Sequence, residues 1–237
     1  MQHPPKQPEL AFYITAPSAC NYLPGRKAVT VFADPFAGMS KPLYSTLVEH
    51  GFRRSGDHVY VPYCPSCNAC VPVRVPVAQF CATRSQRRTW KRNADIEVKR
   101  VAAAFQDEHY QLYQRYVAQR HAGGGMENYG PEQYQSFFGC RWGETWLYEF
   151  RCGADLLAVA SVDHLRDGLS AVYTFFDPAQ TQRGLGTYAV MWQISEAARL
   201  NLPHVYLGYW IAESDKMNYK SKFLPLEIYR NSSWINL

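Results

Sequence analysis

The segment from Trp146 to Trp210 restricts the fold more than any other part of the chain. Trp146 to Arg151, Leu156 to Asp163 and Leu169 to Phe176 are three runs of strand length. The turn signals Cys152-Gly153-Ala154-Asp155 and Arg166-Asp167-Gly168 separate them. Connections this short join antiparallel neighbours, so the three runs form a meander. After Asp177-Pro178 comes Gln182-Arg183-Gly184-Leu185-Gly186-Thr187, then an amphipathic pattern from Thr187 to about Leu200. Past Leu202-Pro203 a further strand runs from Val205 to Trp210. A glycine turn that opens a helix aims unpaired N–H groups and the positive end of the helix dipole at an anion. The order strand, strand, strand, glycine turn, helix, strand predicts an α+β domain with an anion-binding turn.

The remainder reads in two styles. Residues 1 to about 80 are rich in Pro, Gly, Tyr and Cys, with short strands at Ala28 to Ala33, Val59 to Pro62 and Val71 to Val77. Thr46 to His50 ends a helix at Gly51. Either Thr83 or Ser85 can cap a basic helix running to about Asn93. Ile96 to Val101 alternates like a strand. From Asp107 the spacing of Tyr110, Tyr113 and Val117 is helical, with a stop at Gly123-Gly124-Gly125; Glu132 to Phe138 is a second helix. This gives a small cysteine-containing N-terminal domain, residues 1–95, and a larger domain, residues 96–237.

A hydrophobic content of 47% with 19% charged residues excludes a disordered chain. The formal charge of +5 is local, because Thr83 to Arg100 holds seven cations and two anions and the other residues balance. Arg84, Arg87, Arg88 and Lys91 recur at three and four residues and share one helix face, with Arg92 beside it. Stacked cations repel, which phosphates would relieve; the plainer alternative is a solvated face. Past the last strand, Tyr206 to Trp210 is followed by Lys216, Lys220 and Lys222. Aromatics beside lysines suit an adenine with its phosphates, or else simply a core strand before an exposed helix.

Among the seven cysteines, Cys64, Cys67 and Cys70 have metal-ligand spacing, and Cys20 could add a fourth thiolate. Four thiolates suit zinc or an iron–sulfur cluster; otherwise they are small buried hydrophobes. Cys81, Cys140 and Cys152 follow no spacing. The odd count, a proline-rich start without an apolar stretch, and no apolar run of spanning length predict a reduced, cytoplasmic protein with no membrane partner. No Ser/His/Asp or Cys/His spacing suggests a nucleophile.

The strand order around the glycine turn resembles the acyl-CoA-binding core of the GNAT superfamily. In its Gln/Arg-x-x-Gly-x-Gly/Ala signature the first slot here holds Thr181. Taken with Phe12-Tyr-x-Thr-Ala-Pro-x-x-Cys20, Gly51-Phe-Arg-Arg-Ser55, Cys64-x-x-Cys67-x-Ala-Cys70-x-Pro-x-Arg74, Arg84-Ser-x-Arg-Arg88, Asp167-Gly-Leu-Ser-x-Val-Tyr173, Tyr206-Leu-Gly-Tyr-Trp210 and Lys216-Met-x-Tyr-Lys220, the chain resembles the arginyl-tRNA–protein transferase family, in its short bacterial form, from end to end. The resemblance implies an N-terminal transferase domain and a GNAT-like C-terminal domain. It implies transfer of leucine from leucyl-tRNA to the N-terminal Asp or Glu of a protein, marking it for degradation in an N-degron pathway. The motifs do not separate leucyl from arginyl transfer. In eukaryotic relatives, N-terminal cysteines are linked to an iron–sulfur cluster; this chain has Leu23 in place of the second cysteine of their Cys-x-x-Cys.

The donor in such a reaction is an activated ester and the nucleophile an α-amine with a pKa of about 7.7–8.0, so no cofactor and no strong base are required. On this reading Arg84, Arg87, Arg88, Lys91 and Arg92 hold tRNA phosphates. Gly184, Gly186 and Thr187, with Lys216 and Lys220, hold the terminal nucleotide. Arg74 grips the acidic acceptor side chain, and Asp177 and Tyr209 handle the amine proton. The competing readings are a CoA-dependent N-acetyltransferase and a non-catalytic RNA-binding module with a zinc knuckle.

Overall fold

The computed structural model describes residues 10–120 and 125–237. The N-terminal prolines through Pro8, and Gly123 and Gly124 of the expected helix stop, lie outside them. In chain order the elements are β1 (Phe12–Ile14), β2 (Ser18–Ala19), β3 (Lys27–Ala28), β4 (Thr30–Ala33), α1 (Lys41–Glu49), β5 (Arg53–Ser55), β6 (His58–Pro62), β7 (Val71–Pro76), α2 (Arg84–Arg92), β8 (Glu97–Ala102) and α3 (Asp107–Arg120). Then follow α4 (Pro131–Phe138), β9 (Thr145–Cys152), β10 (Asp155–His164), β11 (Gly168–Phe176), α5 (Leu185–Arg199), β12 (His204–Trp210), α6 (Asp215–Asn218), β13 (Glu227–Arg230) and β14 (Ser233–Asn236), with a 3-10 turn at Tyr219–Lys222.

The meander expected from β9 to β11 is antiparallel and extends through β8. Its centre, β10, is buried on both faces from Leu156 onwards, which is why its sequence reads as an unbroken apolar run. Ala158, Ala160 and Val162 pack with Tyr188, Ala189, Met191 and Ile194 of α5. Val159, with Leu147 of β9 and Phe175 of β11, packs against Leu112, Tyr113 and Val117 of α3 and Tyr134 and Phe138 of α4. Leu156 joins the α3 side although it has the parity of Ala158, because the register shifts between them.

The mixed eight-stranded sheet runs β14-β13-β7-β12-β11-β10-β9-β8. The expected boundary after residue 95 falls between α2 and β8, but hydrogen bonding crosses it. β7 lies between β13 and β12, antiparallel to both. The sequence reading did not foresee the β13–β14 hairpin. The smaller sheet, β1-β4-β6-β5, and α1 share a cluster in which Tyr44, Leu47, Val48 and Val59 meet Leu165 and Tyr206. The N-terminal unit is thereby fixed over the place where β11 and β12 separate.

Those two strands are parallel and pair only from Gly168↔His204 to Ser170↔Tyr206, although β11 continues to Phe176 and β12 to Trp210. Beyond Tyr206, β12 follows β7 through a register shift, with Gly208 at φ +77°. The sheet therefore opens as a wedge. No helix among the described residues is long and apolar enough to cross a membrane.

Candidate functional site

The basic helix α2 forms because Thr83 and Gln86 make a reciprocal capping box, which settles Thr83 rather than Ser85 as the cap. Arg84, Arg87, Arg88, Lys91 and Arg92 are all exposed. Arg84, Arg88 and Lys91 have no protein acceptor or ion pair among the described residues, and Arg87 reaches the carbonyl of Ala82. The underside of α2 meets the glycine turn. A Cβ on Gly184 would stand 3.4 Å from Thr89, Trp90 packs on Tyr188 with ring centroids 5.3 Å apart, and Arg92 donates to the Gln182 carbonyl. Arg183 is clamped by Asp95 at 2.8 and 2.9 Å, and Asn93 donates to the Arg183 carbonyl at 2.9 Å. Gly184, at φ +64°, is the N-cap of α5, and Gly186 lies over the Phe176 ring, so that a Cβ there would be 3.2 Å from it. The structure thus packs the helix that bears the cations against the glycine turn, with the cationic face left exposed. Thr187 lies in the first turn of α5.

At the wedge, β5 delivers two neighbouring arginines to opposite sides. Arg54 is buried and saturated. It donates twice to Asp163 at 2.7 Å, to Thr145 at 3.1 Å and to the carbonyls of Gly56, Phe138 and Gly139 at 3.1–3.2 Å. Arg53 is 8% exposed and enters the opening between β11 and β12. It donates to Ser170 Oγ at 2.7 Å and to the Ala171 carbonyl, while a Cβ on Gly208 would lie 3.1 Å from its Nε.

Lys220, 5% exposed, donates to the Tyr209 carbonyl at 2.5 Å with Met217 Sδ at 3.8 Å. Burial first, then the charge of Arg53, lowers its pKa to about 7. Around this pair stand Tyr22, Tyr60 and Tyr219. Burial raises the phenol pKa of each, Tyr22 to about 12, while Arg53 pulls the other way. Tyr22 and Tyr219 nevertheless expose 39% and 41% of their surface.

Other expected site residues lie elsewhere or serve the fold. Arg74 is held by Glu227 at 2.6 Å and Tyr206 at 3.3 Å, with its guanidinium 4.4 Å from the Trp234 ring, so its charge is already matched within the sheet. Tyr209 is buried and donates to the carbonyls of Gly51 and Tyr60 at 3.0 and 3.3 Å. Burial holds its pKa well above the ordinary phenol value, which suits a brace between the two sheets rather than a proton carrier. Asp177 accepts from the Ala179 N–H at 3.0 Å in a turn at the end of β11. Lys216 is exposed on α6, apart in character from buried Lys220.

The cysteines share a neighbourhood: burial, then Cys20, Cys64 and Cys67, raise the Cys70 thiol to about 11. Cys20 Sγ accepts N–H groups of Tyr22 and Leu23 at 3.5 and 3.4 Å, and Cys64 Sγ that of Val29 at 3.4 Å. Among the described residues, however, no three Cys, His, Asp or Glu side chains converge as a metal-binding group.

Sequence reasoning overlooked Arg53. Its signal was the Arg53-Arg54 pair outside the basic window, and a strand sends such neighbours to opposite faces.

Comparison with known proteins identifies the family. A family model described as the N terminus of arginine-tRNA-protein transferase matches residues 18–88, and one described as its C terminus matches residues 108–230. A protein of Nitrosococcus oceani named aspartate/glutamate leucyltransferase is 54% identical over 224 residues, 94% of each chain. One of Pseudomonas fluorescens with the same name is 51% identical over 228 residues, 96% of this chain and 97% of the relative. Among solved structures, one described as L-PGS from Bacillus licheniformis is 10% identical with a TM-score of 0.47, covering 60% of this chain and 47% of the other, a likeness too loose to carry an argument.

Proposed function

The chain belongs to the arginine-tRNA–protein transferase family and is an aminoacyltransferase; on that premise we propose that it moves leucine from leucyl-tRNA to the N-terminal Asp or Glu of cytoplasmic proteins, marking them for degradation. The observation that carries this reading is the seating of α2 on the glycine turn of α5 through Thr89, Trp90 and Arg92, with its other cations left exposed, beside the open wedge of the sheet. A polyanion lying along α2 would deliver its end to the turn, as an acceptor stem must. We read the larger domain as a GNAT-like acyltransferase core: its meander, glycine turn, helix and parallel strand follow in that order.

The chemistry asks little of a base. The aminoacyl ester is already activated, and an α-amine of pKa about 7.7–8.0 keeps roughly a tenth to a sixth of its population unprotonated at pH 7. The amine nitrogen attacks the ester carbonyl and an oxyanion develops; as the C–O bond to the 3′ adenosine oxygen breaks, the proton lost by the nitrogen ends on that oxygen, giving the amide and a free 3′ hydroxyl. Holding the two reactants together and stabilising the oxyanion supply the acceleration, so no covalent enzyme intermediate and no cofactor enter.

Purified protein is offered labelled leucyl-tRNA, arginyl-tRNA or acetyl-CoA, each with peptides beginning in Asp, Glu, Lys or Arg. Leucine should pass to the Asp and Glu peptides. Arginine transfer in its place would reassign the donor, and acetyl transfer would replace the reading altogether.

A further inference from the structure

We propose that Arg53 and Lys220 form the receptor for the acidic side chain of the acceptor's N-terminal residue. The inference rests on the transfer reaction above and adds the residues that select its acceptor.

Both groups are buried, they sit on the same opened stretch of sheet, and neither has a carboxylate within ion-pair distance among the described residues. A buried cation left with neutral partners is unfavourable, and an anion brought by a ligand removes that penalty. Arg54 shows the alternative next door, where the fold supplies its own aspartate. Arg53 uses two of its five N–H groups, on Ser170 and Ala171, which hold the guanidinium plane in place. A fixed guanidinium fork matches the two oxygens of a carboxylate, and the Lys220 ammonium, anchored on Tyr209, adds a second donor.

Position argues for the same ligand. Ala171 and Phe176 are five strand residues apart, about 16 Å along β11. Phe176 lies under Gly186 of the glycine turn. β11 therefore passes the glycine turn, with the exposed arginines of α2 above it, at its Phe176 end, and the small buried pair nearer its start. Exposed cations suit a polyphosphate backbone, whereas a desolvated pair walled by Tyr22, Tyr60 and Tyr219 suits a single carboxylate. The reacting amine of an N-terminal Asp or Glu would then lie between them, where the aminoacyl ester arrives. Gly208 belongs to this device, since its missing side chain leaves Arg53 room to cross β12.

Wild type, Arg53→Met and Lys220→Met are assayed with saturating leucyl-tRNA and peptides beginning in Asp, Glu, Asn or Gln. Each variant should raise KM for Asp and Glu peptides by about tenfold to a hundredfold, while transfer to Asn and Gln peptides and KM for leucyl-tRNA stay within about twofold. An unchanged Asp-to-Asn ratio in a folded variant refutes the receptor. A raised KM for leucyl-tRNA alone also refutes it and assigns the pair to a tRNA phosphate. A tRNA-free arm measures Asp-peptide and Asn-peptide binding to wild type and Lys220→Met by equilibrium dialysis, which serves if Arg53→Met does not fold. Preferential Asp-peptide binding that Lys220→Met abolishes supports the receptor even if no leucine transfer is found, and equal binding of the two peptides excludes it.

Discussion

Arg53 and Arg54 differ by one position and are both removed from water, yet the fold treats them oppositely. Arg54 fixes α4, β9 and β10 together: one guanidinium holds Asp163, Thr145 and the carbonyls that end α4. Burial lowers its pKa, but the charge and hydrogen bonds of Asp163 more than reverse this and raise it. Arg53 meets a hydroxyl and a carbonyl, and Lys220, which feels its charge, is buried too. Saturated buried charge marks a structural joint, and unsaturated buried charge marks a place prepared for something that arrives.

The sharpest contrast should appear in stability. Arg54→Met leaves Asp163 buried without its partner and should cost about 3–5 kcal/mol, read by denaturant unfolding. Arg53→Met removes a cation that the folded protein does not neutralise, and should cost no more than about 1 kcal/mol. Equal losses in the two variants would show that Ser170 and Ala171 satisfy Arg53 fully, and the distinction would collapse.

Lys220→Met should move stability the other way, upward by a few kcal/mol. The lysine has a folded-state pKa of about 7 against an ordinary 10.5. Below about pH 7 both states hold the proton and the burial penalty acts in full; between there and about 10.5 the unfolded chain binds the proton more, so stability rises with pH. The gain from Lys220→Met is therefore largest at about pH 6 and shrinks by about pH 9, as thermal melts at the two values would show. A gain that is constant with pH would mean that the native lysine keeps its proton throughout.

Gly208→Ala probes the same region more gently. At φ +77° an alanine is strained, and its Cβ would press Arg53 Nε from 3.1 Å. A loss of about 1–2 kcal/mol is expected, together with a weaker preference for Asp over Asn peptides. A stability loss with the preference intact would detach the glycine from acceptor recognition.

Much of this was readable from the chain. Hydrophobic runs and turn residues located β9, β10, β11 and α5, because these elements are set by local periodicity. Spacing located the α2 cations for the same reason. The insertion of β7 between β12 and β13 was not readable, since strand pairing across more than a hundred residues leaves no local trace. Arg74 looked like the acceptor's partner while Glu227, far along the chain, was invisible as its ion pair. Tyr209 looked like a strand-end proton carrier until its hydroxyl was seen bound to Gly51 and Tyr60. Only the fold reveals which of two adjacent arginines has a counter-ion.

The cations of α2 supply a third case, charge that stays in water. Arg84 and Arg88 are exposed and unpaired by protein, so they should contribute almost nothing to folding. Replacing both by Glu should leave stability within about 0.5 kcal/mol. The same variant should bind leucyl-tRNA more weakly and show a shallower dependence of log affinity on log salt, by about one for each phosphate that is no longer neutralised. Its Asp-to-Asn preference should be that of wild type, because the α2 cations are exposed and share no hydrogen bond or ion pair with buried Arg53 among the described residues. A salt slope that does not change would remove α2 from the tRNA path; a changed acceptor preference would mean that α2 and the Arg53–Lys220 pair do not work as separate sites.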